Sequence, residues 1–232
     1  MKKLLTFLFA LFVLTGYSAA ANIADDFRAH YSASTDLSAY NKDINAMIGL
    51  ADFHTGKGTT FPGFDVGASF AAIKPSSKNT ITSDDYLYVG FLSAETKIPV
   101  VNLGVVVRGT DMNGFSSLGG GLKYNFGLFD TIHVSVAGFY DRGQTDWYTT
   151  DHYSASAVAS MNVLFLTPYV GLGYDYGELK TKDVLPERST KDGALRYTVG
   201  VNMKPFPFVY VFAAYTQTND NHGLQGGVGL NF

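Results

Sequence analysis

The chain has 232 residues, with 17 Lys and Arg against 20 Asp and Glu, and it contains no cysteine. A formal net charge of −3 gives no indication of the basic surface that nucleic-acid binding requires. The lack of cysteine excludes disulfides, thiolate metal sites and a lipid-modified N-terminal cysteine. Charged residues make up 16% of the chain, against about 25% in ordinary soluble domains. This composition indicates that much of the protein surface faces something other than water.

The first 21 residues have the pattern of a secretory signal peptide. Lys2 and Lys3 form a charged start, residues 4–14 form an apolar run, and residues 18–21 are small enough for signal peptidase. The apolar run is too short for a bilayer-spanning helix, which needs about 20 residues. We therefore predict export, with a mature chain that begins near residue 22.

Segments of about ten residues with alternating polarity follow, which is typical of strands in a transmembrane barrel. In the third segment, for example, Val105 and Val107 share one face while Arg108 lies on the other. The second and ninth segments are apolar on both faces, so their register stays open. The sequence predicts an all-β, antiparallel up-and-down barrel of about ten strands over residues 61–232, with the strands at 63–73, 85–97, 101–108, 117–126, 131–141, 152–164, 170–176, 195–203, 207–218 and 222–232.

The connections between these segments alternate in length, as expected for a barrel with short turns at one end and long loops at the other. Short links are predicted at residues 97–99, 127–130, 166–168 and 204–207. Long polar links are predicted at residues 74–84, 110–114, 141–151, 180–192 and 217–221.

Residues 22–60 do not alternate and form an N-terminal extension. Thr35 or Asp36 is placed to cap a helix within 36–50, where apolar residues recur at helical spacing: Leu37, Tyr40, Ile44, Met47 and Ile48. Three arrangements stay open: a helix under or inside the barrel, a periplasmic extension, and a loosely ordered lead-in.

Several segments, including the last strand, resemble those of a known class of proteins. The chain ends in GGVGLNF, and its segments FPGFDVGASF, NLGVVVRGT and YVGLGYDYG are similar to those of small Gram-negative outer-membrane β-barrel proteins of porin-like, biochemically uncharacterised families. The resemblance covers residues 63–232. It implies a monomer in the bacterial outer membrane, in contact with its lipids and lipopolysaccharide. It also implies periplasmic chaperones and the barrel assembly machinery as partners during biogenesis, with Leu230 and Phe232 as the assembly signal.

Charged residues on the polar faces of the strands are predicted to line the lumen, and two interpretations of them stay open. One is a polar network that plugs and stiffens the barrel, in which Asp175 and Arg196 on neighbouring strands pair directly. The other is a narrow diffusion channel for small solutes with a slight preference for anions. The predicted lumen residues are Asp65, Arg108, Lys123, His133, Asp175 and Arg196.

An enzymatic alternative rests on acidic residues at the strand ends. Asp84 and Asp85, together with Asp220 and His222, resemble the paired acids and Asp-x-His of the omptin outer-membrane proteases, where they activate an attacking water. The match is incomplete, because adjacent residues on a strand face opposite ways. His152 and Ser154 share a face, but no nucleophile elbow accompanies them.

The sequence thus favours a structural or porin-like barrel, without a catalytic site, cofactor or metal. Its long loops are expected to contact other surfaces, with Trp147, Tyr148 and the charged run 180–192 as candidates.

Overall fold

A computed structural model describes residues 22–59, 61–99, 101, 103–127, 131–184, 186–218 and 220–232. Ten antiparallel strands form one closed barrel, in which each strand pairs with the next and the last pairs with the first. This confirms the predicted up-and-down barrel of ten strands, whereas the predicted signal peptide lies outside the described residues. The elements are α1 (Ile23–His30), α2 (Leu37–Gly49), β1 (Phe64–Lys74), β2 (Leu87–Ile98), β3 (Leu103–Met112), β4 (Phe115–Gly127), β5 (Ile132–Gln144), β6 (Tyr148–Met161), β7 (Leu166–Thr181), β8 (Ser189–Phe206), β9 (Val209–Thr218) and β10 (His222–Asn231).

The two faces of the barrel wall differ in polarity, because successive side chains of a strand point to opposite sides. Apolar side chains cover the outer face: Leu118 is 69% exposed and Val107 is 52% exposed. On the inner face, Arg108 and Arg196 are each only 1% exposed. The wall therefore presents an apolar surface to its surroundings and a polar surface to the lumen. No helix in the described part of the chain is long and apolar enough to cross a membrane.

The barrel has two ends, which we call the loop end and the turn end. β1 begins and β10 ends at the turn end, where the links lie at 99–102, 128–131, 162–165 and 207–208. The link predicted at 166–168 was misplaced, because those residues already belong to β7. At the loop end the links lie at 75–86, 113–114, 145–147, 182–188 and 219–221.

Two of the loops predicted to be long are tight turns. β3 and β4 continue to pair beyond the predicted strands as far as Met112 and Phe115, which leaves only Asn113 and Gly114 between them. Both turn residues have a positive φ, at 56° and 72°, and Asn-Gly is the favoured pair for such a two-residue hairpin turn. The predicted loop at 141–151 likewise shrinks to 145–147, because β5 and β6 extend into it. The prediction failed where polar residues continued a strand beyond its apolar part.

The N-terminal extension lies inside the barrel. Asn22 and Asp36 are the N-caps of α1 and α2, and their side chains accept hydrogen bonds from backbone N–H groups of the first helical turn. α2 occupies the loop-end part of the lumen, where Asn41 donates to the carbonyl of Gly177 on β7. Residues 50–59, which we call the lumen segment, then run towards the turn end, where β1 begins. The extension thus threads the barrel from the loop end to the turn end.

The position of α2 explains why β2 is apolar on both faces. The inward side chains of β2 are buried in one apolar cluster with the buried face of α2, and the outward Leu92 is 67% exposed. The inner face of β2 therefore packs on a helix instead of facing water. The cluster members on these two elements are Leu37, Tyr40, Ile44, Met47, Ile48, Leu87, Val89 and Phe91.

Phe232 lies at the seam where the barrel closes. β1 pairs with β10 there, and the ring of Phe232 lies 4.9 Å from that of Phe64 and 5.5 Å from that of Phe208. Leu230 is 38% exposed on the outer face. Both residues are thus outward and accessible, as a docking role would need, and that role stays a prediction.

Candidate functional site in the barrel lumen

Arg108 on β3 is held by two carboxylates in the middle of the lumen. Its Nε and Nη2 donate to Oδ1 and Oδ2 of Asp141 on β5, at 2.7 Å and 2.5 Å, which is a bidentate pair. Its Nη1 donates to Oδ1 of Asp52 on the lumen segment at 2.8 Å. Because a guanidinium has five donors in a fixed plane, it can join two carboxylates in this way.

Arg196 on β8 repeats the arrangement from the other side. Its Nε donates to Oδ2 of Asp175 at 2.8 Å, so the structure places the predicted pair in direct contact. Its Nη2 donates to Oδ2 of Asp52. Each arginine therefore bridges a carboxylate of the barrel wall to Asp52.

Asp52 is the centre of this network. It is 5% exposed, and besides the two arginines it accepts hydrogen bonds from Ser154 at 2.9 Å and Ser156 at 2.6 Å, both on β6. A buried carboxylate is tolerated only when it is paired and hydrogen-bonded in this manner. These contacts fasten the lumen segment to three different strands of the wall.

His152 completes the network on β6. Its Nδ1 lies 3.1 Å from Asp141 Oδ2, and its Nε2 lies 3.3 Å from Asp175 Oδ1. An ionised carboxylate only accepts hydrogen bonds, so both contacts are satisfied when both ring nitrogens carry a proton. A positively charged His152, with the two arginines, would balance the three aspartates. His152 and Ser154 are thus both directed at carboxylates of the network, His152 at Asp141 and Asp175 and Ser154 at Asp52.

The turn end of the lumen holds a second polar group. Lys123 donates to Oε2 of Glu95 at 3.1 Å, and Tyr210 donates to Oδ1 of Asp65 at 2.7 Å. The ring of His54 is stacked 4.3 Å from that of Tyr210. These groups border a cavity of about 200 Å³.

His133, also predicted to face the lumen, stands apart from both groups. It is half-buried near the turn end, with its Nε2 3.1 Å from the side-chain nitrogen of Asn162. Of the six predicted lumen residues, Arg108, Asp175 and Arg196 meet in the network, while Asp65 and Lys123 border the cavity.

Asp43 on α2 ties the extension to the loops. It accepts hydrogen bonds from the backbone of Ser76 and from the side chains of Asn79, at 2.7 Å, and Asn221, at 2.8 Å. Burial raises the pKa of Asp43 above its ordinary value, and the three donors oppose that shift. The loop end is thus closed over α2 by polar contacts.

The residues of the enzymatic alternative lie at the loop end in other contacts. The Asp220 carboxylate is 3.5 Å from Lys42 Nζ of α2. His222 pairs with Lys74 in the register of β10 and β1, with its ring 6.2 Å from that of Tyr215. Asp84 is half-buried and Asp85 is exposed in the link before β2. In the described ranges, no group of three or more His, Asp and Glu is arranged to hold a metal ion.

Tyr148 was wrongly expected to present a contact surface. It is fully buried, and its hydroxyl accepts a hydrogen bond from Tyr40 of α2 at 3.0 Å. Trp147 is partly buried in the same cluster, with the guanidinium of Arg28 4.9 Å above its ring. Both aromatic residues therefore hold the N-terminal helices.

Three members of the network were missed as lumen charges: Asp52, Asp141 and His152. The alternation of β5 does place Asp141 on the polar face, and that of β6 places His152 there. Asp52 has no such pattern, because the lumen segment is irregular. The sequence did contain one indication that a further acidic residue lies in the lumen. The predicted lumen cations, Arg108, Lys123 and Arg196, outnumber the two predicted lumen acids, Asp65 and Asp175.

The geometry defines an integral membrane barrel: closed, antiparallel, apolar outside, and filled by a polar network within. Residues 44–232 match the model of the family described as "Outer membrane protein beta-barrel domain". The chain therefore belongs to this family, which places it in the bacterial outer membrane.

Solved structures with a similar fold include the N-terminal β-barrel domain of Pseudomonas aeruginosa OprF, with 13% identity, 73% of this chain and 97% of that chain covered, and a TM-score of 0.42. Ail, the attachment invasion locus protein of Yersinia pestis, has 16% identity, with 73% and 97% covered and a TM-score of 0.37. The KdgM porin has 10% identity, with 72% and 99% covered and a TM-score of 0.40. These likenesses concern the fold alone. Comparison with curated proteins found no match.

Proposed function

We propose that the protein is a structural, non-catalytic outer-membrane barrel whose lumen is closed by its own N-terminal extension. The observation that carries this proposal is the anchoring of Asp52 by Arg108, Arg196, Ser154 and Ser156 in mid-lumen. A solute crossing the barrel would have to displace a segment held by several charge-assisted hydrogen bonds, each stronger than a neutral one.

The contacts of Arg108 and Arg196 with carboxylates also argue against the alternative function, a narrow diffusion channel. Its anion preference would require Arg108 and Arg196 to face water, but each is 1% exposed and directs its donors to carboxylates. Buried charges that are already paired do not attract ions from solution, because their field is cancelled nearby.

Conductance in planar bilayers tests the closed state. We expect the refolded protein to insert without discrete openings, and a variant lacking residues 22–59 to give discrete openings, because the lumen is then empty. If the deletion variant does not fold, Arg196→Ala is tested in its place. It keeps the extension but removes one of the two arginines that hold Asp52, and we expect its barrel to open intermittently. Asp111→Ala, at an exposed residue on β3, is the matched control and should stay silent. Discrete openings of the unaltered protein would instead support the diffusion channel.

The non-catalytic assignment is supported by the pairing of Asp220 with Lys42. We expect the protein to leave unstructured peptides intact, and a mass-spectrometric cleavage assay would detect the opposite. Cleavage that disappears in Asp220→Ala and His222→Ala would establish the omptin-like alternative.

The finer biological assignments also belong to this proposal. They are export by a signal peptide, a monomeric state, and contact of the loops 75–86 and 182–188 with lipopolysaccharide or another surface, while a porin-like role is the alternative to the closed barrel. The loop contact is supported by the length and position of these two connections, which are the longest and lie at the loop end. Lys78→Ala with Lys182→Ala, which removes one loop charge from each connection and keeps Ser76 and Asn79 in contact with Asp43, should reduce binding to lipopolysaccharide-coated surfaces and leave the barrel folded. Unchanged binding would show that the loops are not the contact surface.

A further inference from the structure

The cavity at the turn end carries an unbalanced positive charge. It lies between the lumen segment and the wall, and its charged border consists of three lysines and two carboxylates. Lys123 is paired with Glu95 at 3.1 Å, and Asp65 accepts hydrogen bonds from Tyr210 and Asn231 at 2.7 Å and 3.0 Å. The three lysines and two carboxylates leave one net positive charge, and two of the lysines, on the lumen segment and on β8, lie outside these contacts.

Lys57 and Lys204 are these two lysines. No carboxylate oxygen of the residues that the structure describes lies within the 4.0 Å of an ion pair from either ammonium group. Both lysine side chains are exposed and border the same cavity, and the charge of Asp65 offsets part of that of Lys204. An anion that enters the cavity can interact favourably with both ammonium groups at once.

The neutral border of the cavity is mixed, with Leu164 and Phe165 as apolar members and several polar residues beside them. Thr55 and Thr59 come from the lumen segment, while Thr167 and Asn202 come from the wall. Hydroxyl and amide groups of this kind form hydrogen bonds with hydroxylated ligands, while the lysines supply the charge. A volume of about 200 Å³ corresponds to roughly six or seven waters, which suits one small molecule or the end of a longer one.

We propose that this cavity binds a small hydroxylated oxyanion, with its carboxylate or phosphate group between Lys57 and Lys204. The bound anion would link the lumen segment to β8 by pairing with both lysines. The site rests on the proposed closed lumen, because the lumen segment forms one side of the cavity, but its residues are separate from the Asp52 network, so ligand binding and conductance can be tested apart.

Calorimetric titration of the refolded full chain with D-gluconate and with sorbitol tests the proposal, because the two differ by one terminal carboxylate. We expect gluconate to bind at low ionic strength, sorbitol not to bind, and inorganic phosphate to compete with gluconate. Lys57→Gln and Lys204→Gln should each weaken gluconate binding about tenfold, and the double variant should abolish it. Lys78→Gln, which removes one exposed charge at the loop end, is the matched control and should bind normally.

Several results would overturn the proposal: no gluconate binding, equal binding of sorbitol, or full affinity in the double variant. Folding of each variant is checked by its heat-modifiable mobility in gels. If a variant does not fold, the competition experiment on the unaltered protein still tests the proposal. Failure of phosphate to displace gluconate would exclude an oxyanion site.

Discussion

Replacing Asp52 by alanine tests whether the charge network fastens the extension inside the barrel. The substitution removes the shared acceptor of Arg108 and Arg196 and leaves the hydroxyls of Ser154 and Ser156 without it. Loss of one partner from a buried ion pair costs about 3–5 kcal/mol, because the remaining charge stays buried. Each arginine keeps its wall carboxylate, Asp141 or Asp175, so we expect the lower part of that range, about 3 kcal/mol.

The assay is urea unfolding of the refolded protein in lipid vesicles, followed by tryptophan fluorescence. Trp147 is the single tryptophan and packs against the cluster around the N-terminal helices, so its emission reports on the extension itself. Asp111→Ala removes an exposed aspartate and should change the free energy of unfolding by no more than about 0.5 kcal/mol. If Asp52→Ala costs no more than this control, the network does not anchor the lumen segment and the reasoning fails.

Three further predictions concern the wall, the fit of α2 and the last strand. Val107→Arg on the outer face should lower the free energy of unfolding by about 2–4 kcal/mol if the residue lies near the bilayer midplane, whereas Val107→Leu should leave it nearly unchanged. Equal urea midpoints of the two variants would contradict the assigned faces. Gly177→Val should lower the free energy of unfolding by about 1–3 kcal/mol, because a Cβ there would overlap Asn45 of α2. Gly127→Val is the control, because a Cβ there meets open space, and equal urea midpoints of the two variants would contradict the fit of α2. Deleting Phe232 should slow the appearance of the heat-modifiable folded form in assembly-machinery proteoliposomes more than it lowers the urea midpoint, and normal kinetics would count against an assembly signal.

The barrel wall was predictable because the alternation in polarity that defines its strands can be seen within short stretches of sequence. A strand in a membrane barrel must alternate in polarity every second residue, so the ten strands and the inward side of Arg108, Asp175 and Arg196 follow from short windows of sequence. The extent of the strands was less predictable. Polar residues such as Thr110 and Asp111 continue the pairing of β3 with β4, although Asp in particular is more typical of turns than of strands.

The sequence by itself determined the ten-stranded wall and its two faces, and the second helix of the extension, α2, whereas α1 was not predicted. Only the tertiary structure decided where that extension lies and which charges meet in the lumen. Asp52 joins Arg108 and Arg196 across sequence separations of 56 and 144 residues, a contact that no local period encodes. The small residues of the inner wall leave room for a second element, but a helix beneath the barrel has the same amphipathic pattern as one inside it. The choice depends on burying that apolar face and pairing that carboxylate, and both conditions are met only when the barrel has closed around the extension.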